Sequence, residues 1–174
     1  MEKNTSIILI GFMGSGKTTI GQELANLMNR EFIDLDKEIE RKYNLKTTEI
    51  FEKYGEVVFR QEEKRMVIHF VEQKNKVISL GGGAFLQNEV RDACLENGIV
   101  IYLEIGWEAW LQRLDELTSD RPLLQGKSID EIKQLFDTRQ EIYERNHIRI
   151  KTDHQTVTET AIQIKKETEE IALQ

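Results

Sequence analysis

The sequence predicts an α/β protein in which helices cover both faces of a parallel β-sheet. One observation leads to this fold class, and a second leads to the number of domains. Short apolar runs alternate along the chain with stretches whose apolar residues recur at helical spacing. No repeat, low-complexity tract or linker divides the 174 residues, a length typical of one domain. We therefore expect a single domain over residues 1–174.

The predicted strands are short runs rich in isoleucine, valine and leucine. The first of them is continuously apolar, as expected for a strand that is buried on both faces. The second ends in acidic residues, and three glycines follow the third. In chain order the predicted strands are 7–10, 32–35, 77–80, 99–105 and 148–151.

The predicted helices begin and end at recognisable signals. Ser128–Glu131 and Thr156–Glu159 have the spacing of capping boxes. Asn88 is expected to cap a helix that Gly98 closes, and Gly55 is expected to close an earlier one. The predicted helical stretches are the one that follows the first glycine-rich turn, then 37–43, 48–54, 56–74, 88–98, 107–114, 128–146 and the C-terminal segment.

Composition excludes several classes of function. Lys and Arg number 24 against 31 Asp and Glu, so the net charge is -7, and we expect no nucleic-acid partner. No stretch approaches the roughly 20 apolar residues that cross a bilayer, so we expect no membrane partner. The single cysteine, Cys94, makes no internal disulfide, and no Cys/His spacing suggests zinc. The N-terminal apolar run is too short for a secretory signal, which leads us to expect a cytoplasmic protein.

Residues 11–18 carry the strongest motif. They read Gly-Phe-Met-Gly-Ser-Gly-Lys-Thr, which fits G-x-x-x-x-G-K-[ST], directly after a predicted strand and at the start of a helix. Glycines and a helix N-terminus present N–H groups to phosphates, Lys17 can reach the outer phosphates, and the Thr18 hydroxyl can bind Mg²⁺. The sequence therefore predicts a site for a nucleoside triphosphate. Its predicted contacts in this segment are Gly14, Ser15, Gly16, Lys17, Thr18 and Thr19.

Asp34 and Asp36 lie at the carboxyl end of the second predicted strand. In an extended chain, residues two apart face the same side, so both carboxylates are expected to enter the crevice above the sheet. One can hold a metal through water while the other takes a proton from an acceptor hydroxyl. The alternative is that Asp36 caps the helix that begins near Lys37.

Arg60 and Glu63 are neighbours on one predicted helix, since they are three residues apart. An arginine fixed by a carboxylate of its own helix suits bidentate binding of a substrate carboxylate. Spacing alone favours the other interpretation, a surface ion pair.

Gly81–Gly83 and Arg121 stand where a ligand could approach. The glycine run follows the third strand and either lets the backbone approach a small ligand or forms a flexible turn. Arg121 lies in the polar segment 115–126, where it can close over transferring phosphates or remain a solvated loop residue. Arg113 and Arg139 flank that segment, and their position alone assigns them no role.

Taken together, these residues resemble the shikimate kinase family. The resemblance runs in order and with similar spacing from about residue 7 to about residue 155. It implies the P-loop fold of nucleoside monophosphate kinases, with a five-stranded parallel sheet in the order 2-3-1-4-5. It also implies an acceptor-binding segment at about 34–62 and a lid at about 115–126. The motifs that carry it are the P-loop, Asp34 with Asp36, Phe59-Arg60 with Glu63, Gly81–Gly83, Arg121-Pro122-Leu123, and Arg139 four residues before Tyr143.

The resemblance implies an activity: ATP-dependent phosphorylation of the 3-hydroxyl of shikimate, a step towards chorismate and the aromatic amino acids. The residues that it assigns to the acceptor are Asp36 as the base, Arg60 and Arg139 for the carboxylate, and Gly81, Gly82 and Gly83 for the ring. The residues that it assigns to the phosphates and adenine are Lys17, Arg121, Arg113 and Gln155, with Thr18 and Asp34 holding one Mg²⁺ bound with ATP.

One departure from the family pattern and two alternative functions remain. No apolar run ending in Asp follows the P-loop, so either Asp34 supplies the metal function or Thr18 and the phosphates hold the ion. Another small-metabolite kinase, such as a gluconate kinase, also needs a carboxylate-binding arginine. A P-loop regulatory NTPase would need an N-K-x-D motif, yet Asn75-Lys76 is followed by Val-Ile. Because one chain offers all the substrate contacts, we expect a monomer.

Overall fold

The computed structural model describes residues 4–114 and 126–172. In these residues, five parallel strands form one sheet in the order β2-β3-β1-β4-β5, which confirms the predicted topology. The strands are β1 (Ser6–Ile10), β2 (Glu31–Asp34), β3 (Lys76–Ser79), β4 (Gly98–Glu104) and β5 (Ile148–Lys151). The helices are α1 (Lys17–Met28), α2 (Leu35–Tyr43), α3 (Thr47–Val71), α4 (Asn88–Asn97), α5 (Trp107–Leu111), α6 (Ile129–Tyr143) and α7 (Val157–Ala172), with a 3₁₀ turn at Ala84–Leu86.

The central strand β1 is buried on both faces, and its side chains alternate between two hydrophobic clusters. Ile8 and Ile10 join the cluster beneath α3, α4, α5 and α6, while Ile7 and Leu9 join the one beneath α1 and α7. This arrangement follows from the continuous apolar run, because successive strand residues point to opposite faces. The carboxyl ends of the strands meet at one edge, where the loop after β1, the start of α2 and the glycine run come together.

The sequence-based boundaries were wrong at two helix starts. Asp34 caps α2 by accepting from the Lys37 amide at 3.3 Å, so Asp36 lies inside the first helical turn and not in an extended chain. Gln87, and not Asn88, is the N-cap of α4. At α2 the error arises because either aspartate has the chemistry of a cap. At α4 the Gln87 side chain makes no capping hydrogen bond, and the boundary differs by one residue.

Three other boundary predictions agree with the structure. Gly55 interrupts α3 with φ of 83° and ψ of 164°, so the segments before and after it are separate helical runs. The capping boxes Ser128–Glu131 and Thr156–Glu159 are both formed.

No helix within the described ranges 4–114 and 126–172 is long and apolar enough to cross a membrane. The predicted lid spans residues 115–126. Its residues 115–125, including Arg121, lie outside the described residues, and only Gly126 lies within them.

Candidate active site

The P-loop connects β1 to α1 and surrounds a cavity at the carboxyl edge of the sheet. Gly14 and Gly16 adopt φ of 77° and 93°, a left-handed backbone that glycine accepts at little cost. Lys17 begins α1 and is largely buried, and its Nζ donates to the carbonyl oxygens of Gly11 at 2.8 Å and Phe12 at 3.0 Å. The ammonium is thus held within the loop beside the cavity. The residues of the predicted nucleotide set that line this cavity are Gly14, Gly16, Lys17, Thr18 and Thr19.

Thr18 and Asp34 meet at this cavity. The Thr18 hydroxyl donates to Asp34 Oδ2 at 2.8 Å, and both residues line the cavity wall. A hydroxyl and one carboxylate suit Mg²⁺, which usually takes one or two protein oxygens and completes its shell with phosphates and water. No group of three His, Cys, Asp or Glu side chains in the described part of the chain could hold a metal without such help. The donor set therefore fits an ion that arrives with a phosphate ligand.

A second cavity lies beside the first and holds the predicted acceptor residues. Asp36, Arg60 and Arg139 all line it, together with the three glycines of the run after β3. Thr47, Phe51 and Phe59 close its other side, as members of α3. The two cavities share four lining residues, which are Met13, Asp36, Gly81 and Gly82.

Arg60 is held at the acceptor cavity by a buried carboxylate. Its Nη1 donates to Glu63 Oε2 at 2.7 Å, and the Glu63 side chain is only 1% exposed, which rules out a surface ion pair. The Gln87 side chain donates to the same oxygen at 3.0 Å. Burial raises the pKa of Glu63 to about 7, and the charge and hydrogen bond of Arg60 oppose that rise. Arg60 therefore lines the cavity with its guanidinium held by the buried Glu63 side chain.

Arg139 is aimed into the acceptor cavity from α6. It is 4% exposed, and its Nε and Nη1 atoms are buried without a hydrogen-bond partner among the described residues. Burial lowers the pKa of this guanidinium from its ordinary value. One turn later, the Tyr143 hydroxyl donates to the carbonyl oxygen of Gly82 at 2.6 Å and fixes the glycine run. Because buried donors are normally paired, Arg139 is suited to an anionic ligand with two acceptor oxygens.

Each glycine of the run lies against one of the acceptor-cavity side chains. A Cβ atom at Gly81 would lie 2.5 Å from Asp36 Oδ1, and one at Gly83 would lie 2.6 Å from Arg60 Nη1 and Nη2. A Cβ atom at Gly82 would lie 3.3 Å from Arg139 Nη1. The run therefore needs glycine, because a Cβ atom would crowd these charged groups. A need for flexibility in the turn does not account for these close contacts.

The structure brings together most of the predicted site, with four exceptions. Ser15 belongs to the P-loop but does not line the phosphate cavity. Arg113 donates to the carbonyl oxygen of Gly14 at 3.0 Å, so it contacts the P-loop itself. Gln155 bonds to Gln163 and Thr160 at the start of α7 and lines neither cavity. Arg121 lies outside the described residues.

Sequence reasoning missed two contributors. Gln87, the second donor to Glu63, is 24 residues away along the chain, and no spacing signal connects the two. The indole of Trp110 donates to the carbonyl oxygen of Met13 at 2.8 Å, although the helical pattern marks Trp110 only as a core residue. The role of Tyr143 could have been suspected, since it lies one helical turn after Arg139.

Comparisons with known proteins agree with this geometry. The family model for shikimate kinase matches residues 13–169. A shikimate kinase of Oceanobacillus iheyensis is 47% identical over 91% of this chain and 87% of its own length. One from Bacillus subtilis is 46% identical over 91% of this chain and 86% of its own length. A solved shikimate kinase from Acinetobacter baumannii in complex with shikimate superposes with a TM-score of 0.90 at 36% identity, covering 99% of this chain and 97% of the other.

Proposed function

The chain belongs to the shikimate kinase family and uses ATP to phosphorylate shikimate, and we propose which of its residues carry the transfer. The proposal rests on one observation. The phosphate cavity and the acceptor cavity share Met13, Asp36, Gly81 and Gly82, so ligands in the two cavities meet beside the Asp36 carboxylate. Because the two cavities are adjacent, a phosphoryl group can pass from one ligand to the other without either leaving its cavity.

We propose that the acceptor cavity orients shikimate by its carboxylate. Arg60 and Arg139 offer planar donors to that group, and Glu63 with Gln87 keeps the Arg60 guanidinium in place. The backbone of Gly81–Gly83 contacts the shikimate ring. This orientation turns the 3-hydroxyl towards Asp36, which accepts its proton as the oxygen attacks the outer phosphate of ATP.

We propose that the phosphate cavity neutralises the charge that develops during transfer. Lys17 and the P-loop amides from Gly14 to Thr19 hold the phosphates, and Arg121 adds its charge from the segment after α5. Thr18 and Asp34 would hold Mg²⁺ together with the phosphates, and the ion would supply further charge neutralisation. Arg113 and Gln155 are proposed to lie on the adenine side of the nucleotide. The enzyme is proposed to act as a monomer, because one chain supplies both cavities, and in the cytoplasm, where ATP is supplied.

A coupled assay of ADP release tests the proposed acceptor. We expect rapid ADP release with shikimate and Mg²⁺, slow release without an acceptor, and no stimulation by gluconate or a nucleoside monophosphate. Phosphorus NMR of the product should show a single phosphate monoester on the 3-oxygen. Stimulation by gluconate to the same rate would assign the chain to another small-metabolite kinase. ADP release that no acceptor stimulates would favour a P-loop regulatory NTPase.

A further inference from the structure

We propose that Trp110 is a positioning residue that holds the P-loop in the shape that binds nucleotide. This inference rests on the proposed function, since it assumes that the P-loop binds ATP. It concerns the face of the loop that points away from the phosphate cavity, towards α5. No motif marks this contact, because Trp110 and Met13 are 97 residues apart along the chain.

The indole of Trp110 is enclosed and has one specific partner. Trp110 is 0% exposed, and its Nε1 donates to the carbonyl oxygen of Met13 at 2.8 Å. Its ring also meets the ring of Phe12, the preceding P-loop residue, edge-on with centroids 5.4 Å apart. One side chain of α5 therefore contacts two successive residues of the loop, one by packing and one by a hydrogen bond.

The hydrogen bond fixes the direction of a peptide unit in the loop. A trans peptide is planar, and its C=O and N–H groups point to opposite sides. Because the Met13 carbonyl points outward to Trp110, the N–H of Gly14 points the other way, and Gly14 lines the phosphate cavity. Trp110 thus sets the orientation of an amide that is available to a phosphate oxygen.

The carbonyl groups next to that of Met13 also accept hydrogen bonds from side chains. Lys17 donates to the carbonyl oxygens of Gly11 and Phe12, whereas Trp110 and Arg113 donate to those of Met13 and Gly14, which are the next two. Four successive carbonyls of the loop each accept a side-chain hydrogen bond. Two of the donors lie outside the loop: Trp110 is on α5, and Arg113 lies two residues after its end. This part of the chain therefore supports the second half of the P-loop.

The competing explanation is that the bond serves only the indole, since buried tryptophan N–H groups usually find a partner. The two explanations differ in what Trp110→Phe should do. Phenylalanine keeps an aromatic ring in the same cluster but removes the donor. A role limited to packing predicts a lower melting temperature with unchanged nucleotide affinity, whereas a positioning role predicts weaker nucleotide binding by the folded protein.

Trp107→Phe is the matched control. Trp107 stacks on Trp110 with centroids 5.2 Å apart and an interplanar angle of 17°, so the two tryptophans share one aromatic cluster. The P-loop contacts described above belong to Trp110, and Trp107 is outside both cavities. Loss of Trp107 therefore tests the packing of the cluster without removing the hydrogen bond to Met13.

Calorimetric titration with ADP, together with steady-state kinetics, decides the question. We expect Trp110→Phe to raise the ADP Kd and the KM for ATP about 5- to 100-fold, the range for a hydrogen bond whose buried acceptor is left unpaired. The KM for shikimate should stay within about twofold in the same variant, because the charged groups of the acceptor cavity are untouched. Trp107→Phe should bind ADP as the wild type does. Wild-type ADP affinity in a folded Trp110→Phe variant, or a loss confined to shikimate, would overturn the inference.

A second measurement covers the case in which Trp110→Phe fails to fold. In Trp107→Phe, Trp110 is the only tryptophan left of the two in the sequence, so its indole N–H gives a single ¹⁵N resonance. That resonance should shift as ADP saturates the protein, and an unchanged resonance would overturn the inference. A wild-type enzyme that binds no ADP would instead overturn the proposed function, so the two failures are distinguishable.

Discussion

The phosphate cavity and the acceptor cavity differ in how the chain builds them. Six of the twelve residues that line the phosphate cavity come from the single stretch 13–19, and this stretch contributes mainly backbone groups and one lysine. The acceptor cavity takes its charged side chains from three separate helices, with Asp36 on α2, Arg60 and Glu63 on α3, and Arg139 on α6. A contiguous site can be recognised in a sequence, whereas a dispersed site exists only once the sheet has brought its helices together.

The same contrast separates their electrostatics. The positive charge of the phosphate cavity is a lysine tied to backbone carbonyls, with the N-terminal end of α1 beside it, and its negative charges are Asp34 and Asp36. The acceptor cavity contains buried ionisable groups that face one another, and burial shifts the pKa of both Glu63 and Arg139. Substitutions in the two cavities should therefore affect different measurable quantities.

The largest expected effect tests the point where the two cavities meet. Asp36→Asn removes the proposed base but keeps the size of the side chain, so kcat should fall about 10²- to 10⁴-fold, the usual contribution of general-base catalysis. The ADP Kd should change little, because the P-loop is untouched. Steady-state kinetics and calorimetry measure the two quantities. A kcat near that of the wild type would leave Asp36 only a structural role in the first turn of α2.

The second prediction concerns the buried carboxyl of the acceptor cavity. The pKa of Glu63 is raised to about 7 in the folded protein, so between pH 4.5 and 7 the folded state holds a proton that the unfolded state releases. Stability contributed by the neutral carboxyl is present below pH 4.5 and is lost as the pH rises through 7. Relative to Glu63→Gln, which stays neutral, the wild type should lose up to roughly 3 kcal/mol of unfolding free energy over this window. Urea unfolding at pH 5 and pH 8 measures the difference.

Glu62→Gln is the control for this pH dependence, because the neighbouring carboxylate is shifted in the opposite direction. Burial works against the ionised form of Glu62, but hydrogen bonds from Arg65 and Lys42 hold its pKa below the ordinary value. Stability from Glu62 is therefore present above pH 4.5 and lost as the pH falls. Between pH 5 and pH 8 the Glu62 carboxyl is largely ionised in both the folded and the unfolded state, so Glu62→Gln should show nearly the same pH dependence of stability as the wild type. Glu63→Gln should not. If Glu63→Gln also kept the wild-type pH dependence, the pKa of Glu63 would not be raised.

Particular residues show how far the sequence could predict this molecule. The strand order and the P-loop were predictable because continuous apolar runs and one local motif encode them. The burial of Glu63 was not predictable, since the spacing of Arg60 and Glu63 is the same in a surface pair and in a buried one. The donation from Gln87 to Glu63 arises only when α4 packs against α3. The position of Asp36 in a helical turn was not predictable either, because Asp34 and Asp36 are equally suited to cap α2.

The smallest expected effects test whether the glycine run makes room for the charged groups. Gly83→Ala would place a Cβ atom 2.6 Å from the guanidinium of Arg60, and Gly81→Ala would place one 2.5 Å from Asp36 Oδ1. In each case the obstructed atom ends a movable side chain, so the protein should fold while one functional group is displaced. We expect Gly83→Ala to raise the KM for shikimate about threefold to tenfold and Gly81→Ala to lower kcat by a similar factor, since small misplacements are costly at a reacting centre.

Gly82→Ala separates this explanation from a general need for flexibility. Its Cβ atom would lie 3.3 Å from Arg139 and 3.5 Å from the backbone nitrogen of Met13, so its neighbours need to move only slightly. None of the three glycines has a positive φ, and alanine therefore adds no backbone strain at any of them. If steric room is what matters, Gly82→Ala should be the mildest of the three variants in both kcat and KM. Equal losses in all three would instead attribute the run to backbone flexibility, because alanine restricts the three positions alike.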